Sequence, residues 1–182
     1  MISIRITGAG GHGIAFAARV LGNALTKRGF NVAMRISYSP AQRGGWSRAD
    51  IVVSSEETIW NPIADELDVL IVTTQERYDA EVKDVKRGGY VIYESEVIKP
   101  RDIEGVEQIP IEAFKLAEMV TGSRVFGNSV LIGFFASASG LIPLSLLEEV
   151  MRELEVRALD SNLKALRAGF ERGFNVKINL RI

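Results

Sequence analysis

Cysteine is absent from this 182-residue chain, and histidine occurs once, at His12. Without thiols there is neither a disulfide framework nor Cys-ligated iron–sulfur chemistry in this chain, and one imidazole cannot build a His-rich metal site. The phosphate-loop pattern G-x-x-x-x-G-K-[ST] and the G-x-S-x-G nucleophile elbow are missing too, as is the Gly-Asp-Gly by which thiamine diphosphate enzymes hold magnesium. Acids are missing from the first 49 residues. Residues 1–50 carry Arg5, Arg19, Lys27, Arg28, Arg35, Arg43 and Arg48 against Asp50 alone, a charge of +6, while the remainder carries −7. Such asymmetry points to an anionic ligand or an acidic neighbouring subunit. The basic residues lack interleaved aromatics and the chain is slightly acidic overall, so a nucleic-acid partner is not expected.

Long uncharged runs are also scarce. The one from Val125 to Leu147 has 23 residues, but "GLIP" at Gly140–Pro143 interrupts it. The unbroken part, Asn128–Ser139, would extend only about 18 Å as a helix. A buried core or interface helix is expected, with no membrane span. "MISIRITGAGG" opens as a strand with no signal peptide, so the expected location is cytoplasmic. Hydrophobic residues make up 47% of the chain and no Pro/Ser-rich linker divides it, which favours one domain over residues 1–182.

The periodicities give an α/β order. "ISIRI" (Ile2–Ile6) alternates as a strand. After a glycine turn, Ile14, Ala17, Ala18, Leu21 and Leu25 recur at helical spacing, with Gly29 as a C-cap candidate. Strands are expected at Asn31–Ile36, Ala49–Ser55, Asp68–Thr74, Tyr90–Ser95 and Val106–Ile111, and a helix from Gln75 to the glycine pair Gly88–Gly89. The last third is expected to be helical, one helix opening on a capping box of Ser145 and Glu148 and another filling much of Ala158–Arg172. The fold class is Rossmann-like, a three-layer α/β/α arrangement with a mostly parallel or mixed sheet.

"GAGGHG" fits G-x-G-x-x-G through Gly8, Gly10 and Gly13. Such a loop lets a backbone approach an anion at a helix N-terminus, or simply lets helix and strand pack closely. The acid that would hold a ribose some 20 residues later is missing, which disfavours NAD. Arg35, Arg43 and Arg48 leave NADP open. A second unusual stretch is "YSPAQRGGWSRAD" (Tyr38–Asp50), which combines two arginines, a glycine pair and Trp46.

"GAGGHGI" (Gly8–Ile14), "SYSPAQRGGWSRADIVVSS" (Ser37–Ser55), "GNSVLIGFFASASGLIPLSLLEEVM" (Gly127–Met151) and "NLKALRAGFERG" (Asn162–Gly173) resemble, in that order, the gamma subunit of 2-oxoacid:ferredoxin oxidoreductases. The "RGGWSRADIVVSS" wording is most similar to the 2-oxoglutarate and broad 2-oxoacid enzymes. His12 stands where the family usually has glutamine. The resemblance implies a subunit, inactive alone, of an enzyme that decarboxylates a 2-oxoacid oxidatively to an acyl-CoA, carbon dioxide and reduced ferredoxin. It places thiamine diphosphate and magnesium on alpha and beta partners, and iron–sulfur clusters on beta or a delta chain. Coenzyme A would lie at a shared site. The residues it implies for that site are Gly8, Gly10, Gly11, His12 and Gly13 with Arg43, Gly44, Gly45, Ser47 and Arg48. The Arg43–Arg48 loop could equally be subunit interface, since interfaces also enrich tryptophan and arginine. A free-standing nucleotide-binding protein and a pure scaffold are the rival readings.

Overall fold

The computed structural model describes residues 1–40 and 45–182. Arg43 and Gly44 lie outside the described residues.

Isoleucines at alternate positions of β1 (Ile2–Ala9) turn one face of that strand to a large apolar core: Ile2, Ile4 and Ile6 are buried there, while Ser3, Arg5 and Thr7 face the other way. Around β1 the chain adds α1 (Ile14–Lys27), β2 (Asn31–Tyr38), β3 (Trp46–Ser54), β4 (Leu67–Val72), α2 (Gln75–Glu81), β5 (Val85–Glu94) and β6 (Glu107–Ile111). Helices α3 (Ala113–Thr121), α4 (Gly127–Ser139), α5 (Leu144–Glu153) and α6 (Leu159–Gly173) complete it. The six strands form one mixed sheet in the order β2-β3-β1-β4-β5-β6. Strands β1, β4, β5 and β6 run parallel, and β3 is antiparallel to both its neighbours. Helices α1 and α3–α6 cover the face bearing the isoleucines. The opposite face of β4 and β5 packs Leu70, Val72, Val91 and Tyr93 against Tyr78, Val82 and Ile98, giving three layers.

The sheet departs from a simple Rossmann opening in one respect. The strand–glycine turn–helix–strand unit is present, but β3 lies between β1 and β2, so the end of β2 does not adjoin the glycine turn. Two further expectations are corrected. The helix after Gln75 stops at Glu81 and gives way to a short 3-10 turn and then β5, because Val85 already pairs with Leu67 of β4. Ser145 does not cap α5: Pro143 takes that position, and Glu148 instead accepts hydrogen bonds from Arg167 Nε (2.6 Å) and Arg152 Nη2 (3.4 Å). The Arg167 bond is the main reason the Glu148 carboxyl is held below its usual range.

The apolar run becomes α4, which is buried on nearly every side, as an all-round hydrophobic helix should be. Among the described residues no helix is long and apolar enough to cross a membrane. Helix α4 can lie against α6 because small residues meet at the crossing. A Cβ on Gly169 would run into the Val130 backbone (2.8 Å from its Cα), and one on Gly173 would stand 2.7 Å from Phe134 O. Gly22 of α1 is different, since a Cβ there would meet nothing nearer than 3.9 Å. Gly169→Ala should therefore destabilise the chain by about 1–3 kcal/mol through overpacking, despite alanine's better helix propensity. Gly22→Ala should be neutral or stabilise by up to about 1 kcal/mol. Urea unfolding midpoints of the two variants check this, and equal midpoints would contradict it.

Candidate functional site

The parallel strands β1, β4 and β5 end side by side, the position at which open α/β sheets place their ligand crevices. A cleft of about 430 Å³ opens there, and Gly11, His12, Thr73, Glu94, Phe114 and Arg124 are among the residues lining it. A second cleft, of about 440 Å³, shares Val125 with the first and is lined by Phe16, Arg19, Asn128, Val156 and Arg157, among others. Arg19 and Arg157 form no ion pair among the described residues.

Much of the glycine turn is dictated by its own packing. A side chain on Gly8 would collide with Thr73 Oγ1, just past the end of β4. Gly10 has Gly45 O just 3.1 Å from where its Cβ would be, and the Asn128 amide fills the corresponding space at Gly13. Gly11 is the exception: its φ of +90° suits glycine, and nothing lies within 4 Å of an added Cβ. It faces the open cleft. Gly13, at φ 72°, precedes the first turn of α1, which has neither a side-chain cap nor an acid. Its free amides thus keep the positive end of the helix unneutralised.

His12 bridges the turn to the residue that follows β4. Its Nδ1 lies 2.8 Å from Thr73 Oγ1, and its ring leans on Phe114 with centroids 4.9 Å apart. Burial pushes its pKa below the ordinary imidazole value, so His12 is neutral near pH 7. Among the described residues no carboxylate hydrogen-bonds the ring, so the pair suits ligand hydrogen bonding rather than nucleophilic catalysis. Glu94, at the end of β5, is buried and caps α3 from outside the helix. Its Oε2 accepts from the amides of Ala113 (2.9 Å) and Phe114 (3.2 Å), and its Oε1 from Glu96 N (3.2 Å). Desolvation nevertheless outweighs those bonds and raises its pKa. Arg124 is shared between Glu96 (2.5 Å) and Glu118 (3.2 Å) at the cleft rim.

The described end of the Tyr38–Asp50 stretch meets the glycine turn directly. Gly10 N donates to Gly45 O at 2.7 Å, and Gly8 pairs with Ser47 across the strands. Ser47 is buried, and its carbonyl accepts from Thr7 Oγ1 at 3.3 Å. Among the described residues of the stretch, the side chains of Arg48 and Trp46 find partners within the fold. Arg48 is bound to Asp50 through Nε (3.1 Å) and Nη2 (3.0 Å), and the Arg77 guanidinium stacks over Trp46 at 4.4 Å from the ring centroid. Beneath them Arg5, buried, donates to Asp50 (2.6 Å), Asp84 (2.7 Å) and Ala64 O (2.8 Å). Arg77 also pairs with Glu81, whose Oε2 has no hydrogen-bond partner among the described residues. Arg35 lies mid-strand opposite Asp50, away from the cleft, where it cannot serve as a ribose-phosphate anchor.

The structure thus brings together Gly8, Gly10, Gly11, His12, Gly13, Gly45 and Ser47, and sets Arg48 on the opposite face of β3 from Ser47. Thr73, Glu94, Phe114 and Arg124 were not legible as cleft residues. Asn128 left a signal, being a polar residue inside an apolar run.

Residues 3–172 match the family described as pyruvate ferredoxin/flavodoxin oxidoreductase. The 2-oxoglutarate synthase subunit KorC of Archaeoglobus fulgidus is 35% identical over 175 residues, covering 96% of this chain and 89% of that protein. KorC of Methanothermobacter thermautotrophicus is 31% identical, covering 92% of this chain and 93% of that protein. Two solved structures share the fold. The keto/oxoacid ferredoxin oxidoreductase gamma subunit of Geobacter sulfurreducens has a TM-score of 0.80 at 24% identity, covering 95% of this chain and 98% of that one. The 2-oxoglutarate:ferredoxin oxidoreductase of Magnetococcus marinus, with 2-oxoglutarate, coenzyme A and succinyl-CoA bound, has a TM-score of 0.85 at 23% identity, covering 97% of this chain and 32% of that one. With the match spanning nearly its whole length, this chain belongs to the pyruvate ferredoxin/flavodoxin oxidoreductase family.

Proposed function

We propose that this chain is the gamma subunit of a multi-subunit 2-oxoglutarate:ferredoxin oxidoreductase, acting as one domain over residues 1–182. The observation that carries this is the near full-length match to the KorC subunits. The enzyme decarboxylates a 2-oxoacid, passes two electrons to ferredoxin and transfers the acyl group to coenzyme A. Alpha, beta and in some arrangements delta partners supply thiamine diphosphate, magnesium and the clusters. In the Magnetococcus marinus protein the same fold occupies 32% of a longer chain, which fits a unit that works beside other units.

What this chain contributes is a wall. The amides at the start of α1, with Arg19 and Arg157 forming no ion pair among the described residues, outweigh the single acid Glu155 of that cleft and make a positive surface beside apolar Phe16 and Val156. That combination suits a ligand with phosphates and an apolar arm, as coenzyme A has. Gly11 leaves room for close backbone approach, and neutral His12 replaces the family's glutamine as a hydrogen-bonding group. Arg43 and Gly44 belong to the same proposal from sequence alone. Arg48, paired with Asp50 and partly exposed, belongs to the same proposal.

Two outcomes follow. The isolated chain should show no 2-oxoacid-dependent viologen reduction, and adding it to the other subunits should restore coenzyme A-dependent turnover. Reduction by the pure chain would contradict the proposal. His12→Gln in the assembled enzyme should keep activity near neutral pH. Because the folded pKa of His12 lies below 6.5, its neutral form is lost only as pH falls through that lower value. A pH profile of kcat/KM should therefore lose part of its acid limb in His12→Gln. An unchanged acid limb would remove His12 from the site, and inactivity at neutral pH would contradict its equivalence to glutamine.

A further inference from the structure

The two edges of the sheet are treated differently. Strand β6 is five residues long and carries Pro110, which cannot donate to a further strand. Strand β2 is eight residues long, contains no proline, and pairs with β3 in unbroken register from Asn31–Ser54 to Tyr38–Ser47. The bond from Ser39 N to Trp46 O (2.8 Å) fixes the phase of that ladder. By alternation, Val32, Met34, Ile36 and Tyr38 direct their amides and carbonyls outward, where no strand of the described residues meets them. Two of those side chains are also uncovered, Met34 at 37% and Tyr38 at 62% exposure. Trp60 is 91% exposed on the loop after β3, and the bond from Asn31 Nδ2 to Glu57 O (3.2 Å) ties that loop to the start of β2. A long, partly apolar edge with no proline or bulge is a template for another strand.

We infer that the outer edge of β2 pairs with an extended, acid-bearing segment of another subunit of the oxidoreductase, an inference that rests on the subunit reading above. Charge selects that occupant. Arg35 is exposed and forms no ion pair among the described residues, and no acid precedes Asp50 in the chain. A second copy of this chain would set an acid-free strand against an acid-free strand, with arginine facing no counter-charge. An acidic strand satisfies both the open ladder and Arg35.

Hydrogen exchange on the isolated chain and on the assembled oxidoreductase tests this. The amides of Val32, Met34, Ile36 and Tyr38 should slow by about 100-fold or more on assembly. Arg35→Glu should weaken assembly by about tenfold or more, with Arg35→Lys restoring it and with the unfolding midpoint of the isolated chain unchanged. A complex that forms while those four amides exchange at their isolated rates would overturn the inference and leave the subunit reading standing. So would protection of β2 in a homodimer. Failure of the wild-type chain to join any complex would overturn both, and is told apart by the absence of the complex itself.

Discussion

The ion pair between Arg5 and Asp50, 2.6 Å long and closed to solvent, joins β1 to the one strand that runs against the rest of the parallel sheet. Such a pair is tolerable only where the charges are fully engaged, and here they are: Arg5 also reaches Asp84 and Ala64 O, and Asp50 also holds Arg48. Its value lies in specificity of arrangement. Apolar residues of similar volume could cement β1 to β3 as firmly, but would leave Arg48 without the carboxylate that orients it. Because β3 occupies the place next to β1, Gly45 falls beside Gly10 and the two unusual stretches of the chain become one structure.

The same insertion explains what lies elsewhere. It moves β2 to the rim, away from the glycine turn, so the familiar way of holding a ribose at the end of the second strand is closed. It also leaves β2 with an open ladder. The cleft at the ends of β1, β4 and β5 then depends on the turn itself, on Thr73 clamping His12, and on Glu94 capping α3. Hydrogen-bonding groups and arginines line these clefts.

Much of the fold was legible because its signals are local. Alternation at Ile2–Ile6, helical spacing from Ile14 to Leu25 and the all-apolar run at Asn128–Ser139 each follow from burial of one strand or helix. The β5 start at Val85 was not legible, since it is set by pairing with Leu67 across the sheet. Ser145 and Glu148 matched a local capping pattern, but Arg167 of α6 drew Glu148 away. At the site, the glycines were legible and their reasons were not: Thr73 and Asn128, distant in sequence, occupy the space that side chains at Gly8 and Gly13 would need. Arg48 and Trp46 invited a ligand role from their chemistry alone, whereas Asp50 and Arg77 engage them within the fold.

Hydrogen exchange at the Gly10 amide in an Asp50→Asn variant tests most directly whether the buried pair holds the two stretches together. Removing the Asp50 charge, which takes one of the two carboxylates bonded to Arg5 and leaves Arg48 without its own, should cost about 3–5 kcal/mol. The Gly10 amide, bonded to Gly45 O at 2.7 Å, should then exchange faster by a factor on the order of 100 to 5,000, together with the amides of β3. A folded variant whose Gly10 amide exchanges at the wild-type rate would contradict the account.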